Sequence, residues 1–439
     1  MLIPAPRLLI LTGICLAIAV VASLERSAMP ILLATSVVAV FLTVLDAVRL
    51  LREHVPQAAR QLPGTLPLGV WQEVSLTLRN RTRRSVVLDL IDHFPAGMTA
   101  EGLPHRVRLD AQQSGRINYR VRPLARGDQM FSQAEVRIGS VFGLWQVRRR
   151  LGSDQTVRVY PNFAAITRFA AFAMDQRLLQ LGIVRQRRRG EGQDFRQLRD
   201  YRSGDPLRSV DWKATARSGR LISREFQEDR NQQIVFMLDC GRRMLAHDGA
   251  LSHFDHVLNA ALLLASVSLR HGDAVGLITM GTESVEPARF VAPRRSPTIL
   301  NALLEAVYDL QPTYGATDYL RAAIDLAGRV RKRALIVVLT NLHDEETGDL
   351  VSAMEVLRTR HLVVVASLRE QALRETLIRS TPRLSDALTH AAVAQYLLQR
   401  TQAFRRIERQ GTICIDVEPV ELGVALVNRY LQIKRAGRL

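Results

Sequence analysis

Four short stretches hold the residues whose types and spacing could do chemistry. Asp239-Cys240-Gly241-Arg242-Arg243 ends one apolar run, and Asn341-Leu342-His343-Asp344 ends another. Gly315-Ala316-Thr317-Asp318 precedes a helical pattern, and Asp211-Trp212-Lys213 sits in a charged stretch. Cys240, with His247 seven residues on, is the pair that could form a thiol nucleophile and its base. No pattern supplies an oxyanion hole, and a small apolar residue at a strand end explains Cys240 equally well. No C-x-x-C or H-E-x-x-H occurs, so the common zinc motifs are absent. The stretches 190–192 and 139–143 are glycine-rich but lack a following Lys-Ser/Thr, so no phosphate loop is assigned. No residue is assigned as catalytic, and no metal or cofactor is expected.

The chain that must position these residues has 439 residues, room for about three folding units. A hydrophobic content of 47% excludes a disordered chain. Sixty basic residues against 42 acidic ones leave a net charge of +18. Only three of the basic residues are lysines (Lys213, Lys332 and Lys434), so Lys213 stands out in an arginine-rich chain. The basic residues are dispersed, aromatics make up 5%, and no nucleic-acid motif appears, so no nucleic-acid partner is assigned. Surplus positive charge suits an anionic membrane leaflet instead. The cysteines at 15, 240 and 414 show no paired spacing, which points to a reducing compartment.

Residues 1–60 read as a two-helix transmembrane hairpin. Residues 8–24 and 27–45 are free of charge and long enough to span a bilayer, which takes roughly 17–25 residues. Glu25 and Arg26 form the tip. Arg7 before the first run and Arg49, Arg52 and Arg60 after the second outnumber Arg26, so the N-terminus and everything beyond residue 46 are expected in the cytoplasm. A cleaved signal peptide over residues 8–22 would leave the new N-terminus outside, but residues 27–45 would still return the rest of the chain to the cytoplasm. Two buried core helices would need polar faces that these runs lack.

Residues 61–160 alternate in short runs, as where Val74, Leu76 and Leu78 share one face, punctuated by turns such as Pro95-Ala96-Gly97. They predict an antiparallel β-sandwich acting as a spacer or docking module. Residues 161–230 form a charged connector. Its part from 185 to 230 mixes 13 basic with 8 acidic residues and threads apolar ones between them, which suggests a folded, salt-bridged surface. Residues 231–439 alternate apolar strands (233–239, 273–280, 334–340, 362–368, 412–417) with helices (254–269, 299–310, 319–330, 347–359, 384–408, 422–433). That is the pattern of a doubly wound α/β domain. Sites in such folds lie beyond the carboxyl ends of the strands, where three of the four chemical stretches fall.

Those three stretches, in this order, resemble a von Willebrand factor A-type domain. The connector, with Tyr201, Gly204-Asp205, Arg208, Asp211-Trp212, Thr215-Ala216-Arg217 and Arg224, resembles the bacterial domain of unknown function 58 family. The resemblance covers roughly residues 1–420. It implies a membrane protein whose carboxyl half is von Willebrand-like and whose associate is a MoxR-type AAA+ ATPase. It also implies an ancestral metal-ion-dependent adhesion site: an Asp-x-Ser-x-Ser loop, a Thr and a further Asp around a divalent ion, with oxygen ligands that suit Mg²⁺. Here Asp239 and Thr317 match, but Gly241 and Arg243 replace the serines and Asn341 replaces the second Asp. The expectation is a site without metal, in which Arg242 or Arg243 takes the ion's place beside Asp239.

Together these readings make the protein a non-enzymatic adaptor of the bacterial inner membrane that binds a cytoplasmic partner. The favoured surface is the carboxyl rim together with Asp205, Arg208, Asp211, Trp212, Lys213, Arg217 and Arg224. The alternative is a metal- or cysteine-dependent hydrolase working at the same rim.

Overall fold

A computed structural model describes all residues except 1, 25–28, 54, 163–193, 203–206, 228–231, 250, 283–285, 344–346, 381–382 and 439. The chain divides into two units, Met1–Tyr160 and Pro161–Leu439.

The first unit begins with a short strand β1 (Leu2–Pro4), then helices α1 (Pro6–Leu24) and α2 (Met29–Arg52). At 1.5 Å per residue these 19 and 24 residues rise about 28 and 36 Å, enough to cross a bilayer. Only 6% of each apolar window is buried, so these are not core helices: their Leu, Ile and Val side chains face outward, as lipid contact demands. Glu25 and Arg26, the expected tip, lie outside the described residues.

Eleven strands follow: β2 (Gln57–Gln61), β3 (Thr65–Pro67), β4 (Gln72–Arg79), β5 (Val86–Ile91), β6 (Met98–Glu101), β7 (His105–Leu109), β8 (Ser114–Pro123), β9 (Gly127–Phe131), β10 (Ala134–Gly139), β11 (Trp145–Leu151) and β12 (Gln155–Tyr160). One sheet runs β1-β11-β10-β5-β7 and another β2-β4-β8-β6, each antiparallel throughout, with β3-β12-β9 as a third. The alternation read from the sequence is what buries one face of each. Leu76, Leu78 and Ile117 from the second sheet join Leu88, Leu90, Val136 and Val147 from the first in a single apolar core.

A buried ion pair crosses this core. Arg60 on β2 donates through Nε to Asp92, just past β5, at 2.9 Å, and Tyr119 on β8 donates its hydroxyl to the same carboxylate at 2.5 Å. The Arg60 and Asp92 side chains are 4% and 0% exposed. Burial first, then the neighbouring Asp92 charge, pushes the Tyr119 hydroxyl well above its ordinary range.

The hairpin is welded to these sheets. β1 pairs antiparallel with β11 (Leu2 opposite Val147), and Leu50 of α2 enters the core. Both ends of the hairpin therefore lie on the same side as the sheets.

The second unit opens with strand β13 (Asp194–Asp200), helix α3 (Trp212–Ser218) and strand β14 (Ile222–Gln227), the two strands pairing antiparallel. The charged connector is thus in part a β-ribbon carrying a short helix. The α/β domain follows: β15 (Gln233–Asp239), a two-stranded ribbon of β16 (His247–Asp248) and β17 (Leu251–Ser252), α4 (His253–Arg270), β18 (Ala274–Met280), β19 (Phe290–Arg294), α5 (Ile299–Val307), α6 (Tyr319–Arg329), β20 (Ala334–Thr340), α7 (Thr347–Arg358), β21 (Leu362–Leu368), α8 (Gln371–Ile378), α9 (Leu384–Arg409), β22 (Ile413–Val417) and α10 (Leu422–Arg435).

The sheet order is β19-β18-β15-β20-β21-β22, parallel except for β19. Strand alternation splits β15 between two cores. Ile234, Phe236 and Leu238 pack on α4, α5 and α10, while Val235 and Met237 pack on α6, α7 and α9. After β15 the chain moves to β18 on one side; after β20 it moves to β21 on the other. The crevice between the carboxyl ends of β15 and β20 is therefore the topological switch point, where such sheets place their sites.

Replacing Asp92 with Ala would strand the Arg60 cation in the core. The expected cost is about 3–5 kcal/mol, read as a lowered denaturation midpoint of the detergent-solubilised protein. Asp92→Asn, which keeps an acceptor, should cost less.

Candidate functional site: the carboxyl rim and the connector helix

Asp239 is the last residue of β15 and 1% exposed. Its carboxylate lies in the switch-point crevice with four donors around it. Oδ1 accepts from the Gly241 N–H at 2.8 Å and the Thr317 hydroxyl at 2.5 Å. Oδ2 accepts from the Thr340 hydroxyl at 2.6 Å and the Tyr319 hydroxyl at 3.0 Å. The donors come from the loop after β15, the segment leading into α6, α6 itself and the end of β20. Cross-links between the loops fix them: Arg242 N–H to Gly315 O at 2.9 Å, and Thr313 N–H to Cys240 O at 2.6 Å.

This arrangement corrects the expectation that an arginine replaces the metal. Asp239 is held by three hydroxyls and an amide, not by Arg242 or Arg243. The physical reason is saturation: each oxygen already takes two short hydrogen bonds, and neutral donors at the pocket wall avoid the desolvation that a buried guanidinium would cost. Arg242 is exposed and Arg243 half-buried.

Gly241 has a spatial role. A Cβ there would meet Thr317 Oγ1 at 2.3 Å, and a Cβ on Gly281 (φ +81°) would meet the same atom at 2.6 Å. The Thr317 hydroxyl is thus pressed between two glycines and onto Asp239. A serine at 241 is incompatible with the Thr317–Asp239 bond as it stands. Among the described residues, no group of three or more His, Cys, Asp or Glu side chains converges to hold a metal ion. Cys240 is fully buried, its sulfur 3.6 Å from Leu238 O.

Asn341, 1% exposed, belongs to a second network beside the first. Its Nδ2 faces His253 Nδ1 at 3.3 Å and Glu370 Oε1 at 3.4 Å, and its Oδ1 accepts from Arg400 Nη1 at 3.4 Å. An aspartate here would have no hydrogen to offer His253 or Glu370. His253 in turn faces Asp248 Oδ2 through Nε2 at 3.3 Å, which fits a neutral ring with the proton on Nε2. Burial pushes the His253 pKa down, against the pull of Asp248 and Glu370.

Arg400 of α9 is the rim residue that sequence reasoning missed. It is 2% exposed. Nη2 donates to Ser367 Oγ at 2.7 Å, Leu368 O at 2.6 Å and Asp416 Oδ1 at 2.9 Å, while Nη1 reaches Leu342 O. It thereby ties together the carboxyl ends of β20, β21 and β22. A signal was present: Arg400 is three, four and seven residues before Ala403, Phe404 and Ile407, so it stands on the buried face of its helix. Tyr396, one turn earlier, meets His343 Nδ1 at 3.2 Å. Asp318 caps α6 by accepting from Arg321 N–H at 2.8 Å, and Asp344 lies outside the described residues.

The connector residues divide into two sets. Asp211 caps α3, accepting from the Lys213 and Ala214 N–H groups at 3.0 and 2.9 Å, and pairs with Arg224 of β14 at 3.0 Å. Thr215 Oγ1 accepts from Ile222 N–H at 3.0 Å. The Ala214 N–H above all, then the Arg224 guanidinium, hold the Asp211 carboxyl below its usual range. Asp211, Thr215 and Arg224 therefore build the connector. Trp212, 65% exposed, projects from it beside the exposed Lys213 and Arg217, and Leu207 is 71% exposed. No residue of α3 is buried. Asp205 lies outside the described residues, as does the side chain of Arg208 in the turn Leu207–Ser209.

Residues 197–406 match the family described as protein of unknown function DUF58. A curated relative, the uncharacterised protein YeaD of Bacillus subtilis (strain 168), is 25% identical over 239 residues, covering 52% of this chain and 56% of YeaD. The chain thus matches little more than half the length of that relative. Among solved structures, an aerotolerance-related membrane protein from Bacteroides fragilis NCTC 9343 is 20% identical, covering 46% of this chain and 99% of its own, with a TM-score of 0.29. A FixG-related protein from Vibrio parahaemolyticus is 8% identical over 24% of this chain and 94% of its own, with a TM-score of 0.17. TM-scores this low do not establish a shared fold.

Two outcomes follow. Gly241→Ser should destabilise the α/β domain by about 1–3 kcal/mol through overpacking, read by thermal unfolding, whereas serine at an exposed glycine such as Gly348 should not. The fold should also weaken in mild acid. His253, His256 and His361 are all pushed below the ordinary value of 6.5, each chiefly by burial. The unfolded chain then binds more protons than the folded one, so stability is full above pH 6.5 and falls as pH drops toward the lowered folded values. Denaturation midpoints between pH 7.5 and 5 should show this slope, and His253→Gln should flatten it.

Proposed function

We propose that this protein is a membrane-tethered adaptor, without catalytic chemistry of its own, that binds a cytoplasmic protein partner through the connector helix and the carboxyl rim. The observation that carries the reading is Trp212. A tryptophan left 65% exposed on a helix with no buried residue, yet held in place by the Asp211 cap and the Asp211–Arg224 pair, is a fixed apolar anchor facing solvent. Tryptophan and arginine are the side chains most enriched at energetic hot spots of protein interfaces. Lys213 and Arg217 beside it favour a partner surface with acidic groups around an apolar pocket.

The resemblance of the connector motif makes a MoxR-type AAA+ ATPase the partner of choice, in envelope or complex assembly. It also suggests that the α/β domain is a von Willebrand factor A-like module in which the adhesion-site position serves packing. The arginines flanking the hairpin favour a cytoplasmic placement of both units at the bacterial inner membrane. Tethering by two helices raises the effective concentration of the chain for a partner acting at the membrane. The competing hydrolase reading is disfavoured by the burial of Cys240 and by the saturation of Asp239 with neutral donors.

The test is binding of a purified MoxR-type ATPase from the same genome to the protein in liposomes. Trp212→Ala should weaken binding at least tenfold, about 1.4 kcal/mol or more, while leaving the unfolding midpoint unchanged. Equal binding by the variant and the parent, or a hydrolytic turnover lost with Asp239→Asn, would contradict the proposal.

A further inference from the structure

We propose that the β10–β11 loop, residues 140–144, is a third membrane-contacting element, with Val141 and Phe142 seated in the boundary layer of a phospholipid bilayer beside the hairpin. The inference rests on the reading that α1 and α2 span that bilayer, and it adds a lipid contact made by the sheets themselves.

The loop's hydrogen bonds fix its level. Arg7 is the last charge before the uncharged run of α1, and Asp46 is the first charge after that of α2. These two residues mark where each helix leaves the apolar layer, and both hold this loop. Asp46, 0% exposed, accepts from Ser140 Oγ at 2.5 Å, Phe142 N–H at 3.2 Å and Leu144 N–H at 3.3 Å. Arg7 Nη1 donates to Phe142 O at 3.4 Å, and Ala5 N–H donates to Leu144 O at 2.9 Å. Trp145, the residue after the loop, donates its indole N–H to Thr43 O at 3.0 Å, inside the uncharged run of α2. A buried aspartate with three loop donors is a rigid joint, so the loop cannot drift from this level without leaving a charge unpaired.

What the loop presents there is apolar. Val141 is 52% and Phe142 42% exposed. Gly143, at φ +71°, turns the chain under them, and a Cβ at that position would lie 3.0 Å from Arg7 Nη1. The polar atoms of the loop are used inward, on Arg7, Asp46 and Ala5, and the apolar side chains are left outward. An aromatic ring and an indole at the level where charge begins is the arrangement of a membrane aromatic belt. Here the sheets supply it rather than the helices.

The experiment uses the full chain in phosphatidylethanolamine–phosphatidylglycerol liposomes, with Cys15 and Cys414 replaced by Ser. An environment-sensitive fluorophore is placed singly on F142C, on V37C in mid-helix and on S153C at the far end of β11. Quenching is read with lipids spin-labelled near the headgroup or near the chain end. The label at 142 should emit to the blue of that at 153 and lose most of its emission to the headgroup-side quencher. The label at 37 should respond more to the chain-end quencher. Labelling V141C repeats the measurement should F142C fail to fold. If 142 and 141 behave like 153 while 37 is quenched, the loop proposal is overturned and the hairpin stands. If 37 also behaves like 153, the hairpin reading falls and the loop proposal with it.

Discussion

A carboxylate buried at the end of a central β-strand must be satisfied, and the way Asp239 is satisfied governs the whole rim. Four donors from four chain segments converge on it. Each donor fixes its own segment: Gly241 the loop after β15, Thr317 the approach to α6, Tyr319 the first turn of α6, and Thr340 the exit from β20. The cost of burying a charge is offset only while all of them stay in place. The same demand explains why glycine occupies 241 and 281, where any Cβ would push against Thr317. The rim is held from within by hydroxyls.

The second network extends this logic across the sheet. Arg400 gathers the ends of three strands, and Asn341 passes its hydrogen bonds to His253 and Glu370. At the other end of the chain the joint between hairpin and sheets follows the same rule, with Asp46 as the buried acceptor. In each place one buried polar side chain with several donors or acceptors fixes separate segments, where apolar packing alone would leave their relative register loose.

Much of the fold was legible because burial imposes periodicity. The charge-free runs gave the two helices, and the fully apolar runs gave β15, β18, β20 and β21, because strands covered on both faces have no polar side to show. Of the two edge strands of this sheet, β22 was legible and β19 was not. β19 contains Pro293, which a central strand would not tolerate, and it runs antiparallel at the sheet margin. The connector ribbon, half-exposed and charged, has no clean alternation either. At the rim, Asp239 and Thr317 could be placed from the sequence, but Thr340 and Tyr319 could not, since their hydroxyls meet Asp239 only through tertiary structure. The arginine expected beside Asp239 was a sound electrostatic guess that short neutral hydrogen bonds displaced. Arg400 was hidden by composition, one of a few buried arginines in a chain with many exposed ones.

The central claim is that the Asp239 carboxylate is closed by its own neighbours. Anomalous diffraction from crystals of the full-length protein equilibrated with Mn²⁺ tests it most directly. The structure predicts no manganese signal between Asp239 and Thr317, with the Thr317 and Thr340 hydroxyls still on the carboxylate. An ion seated there, with Thr317 turned away from Asp239 to ligate it, would contradict the account.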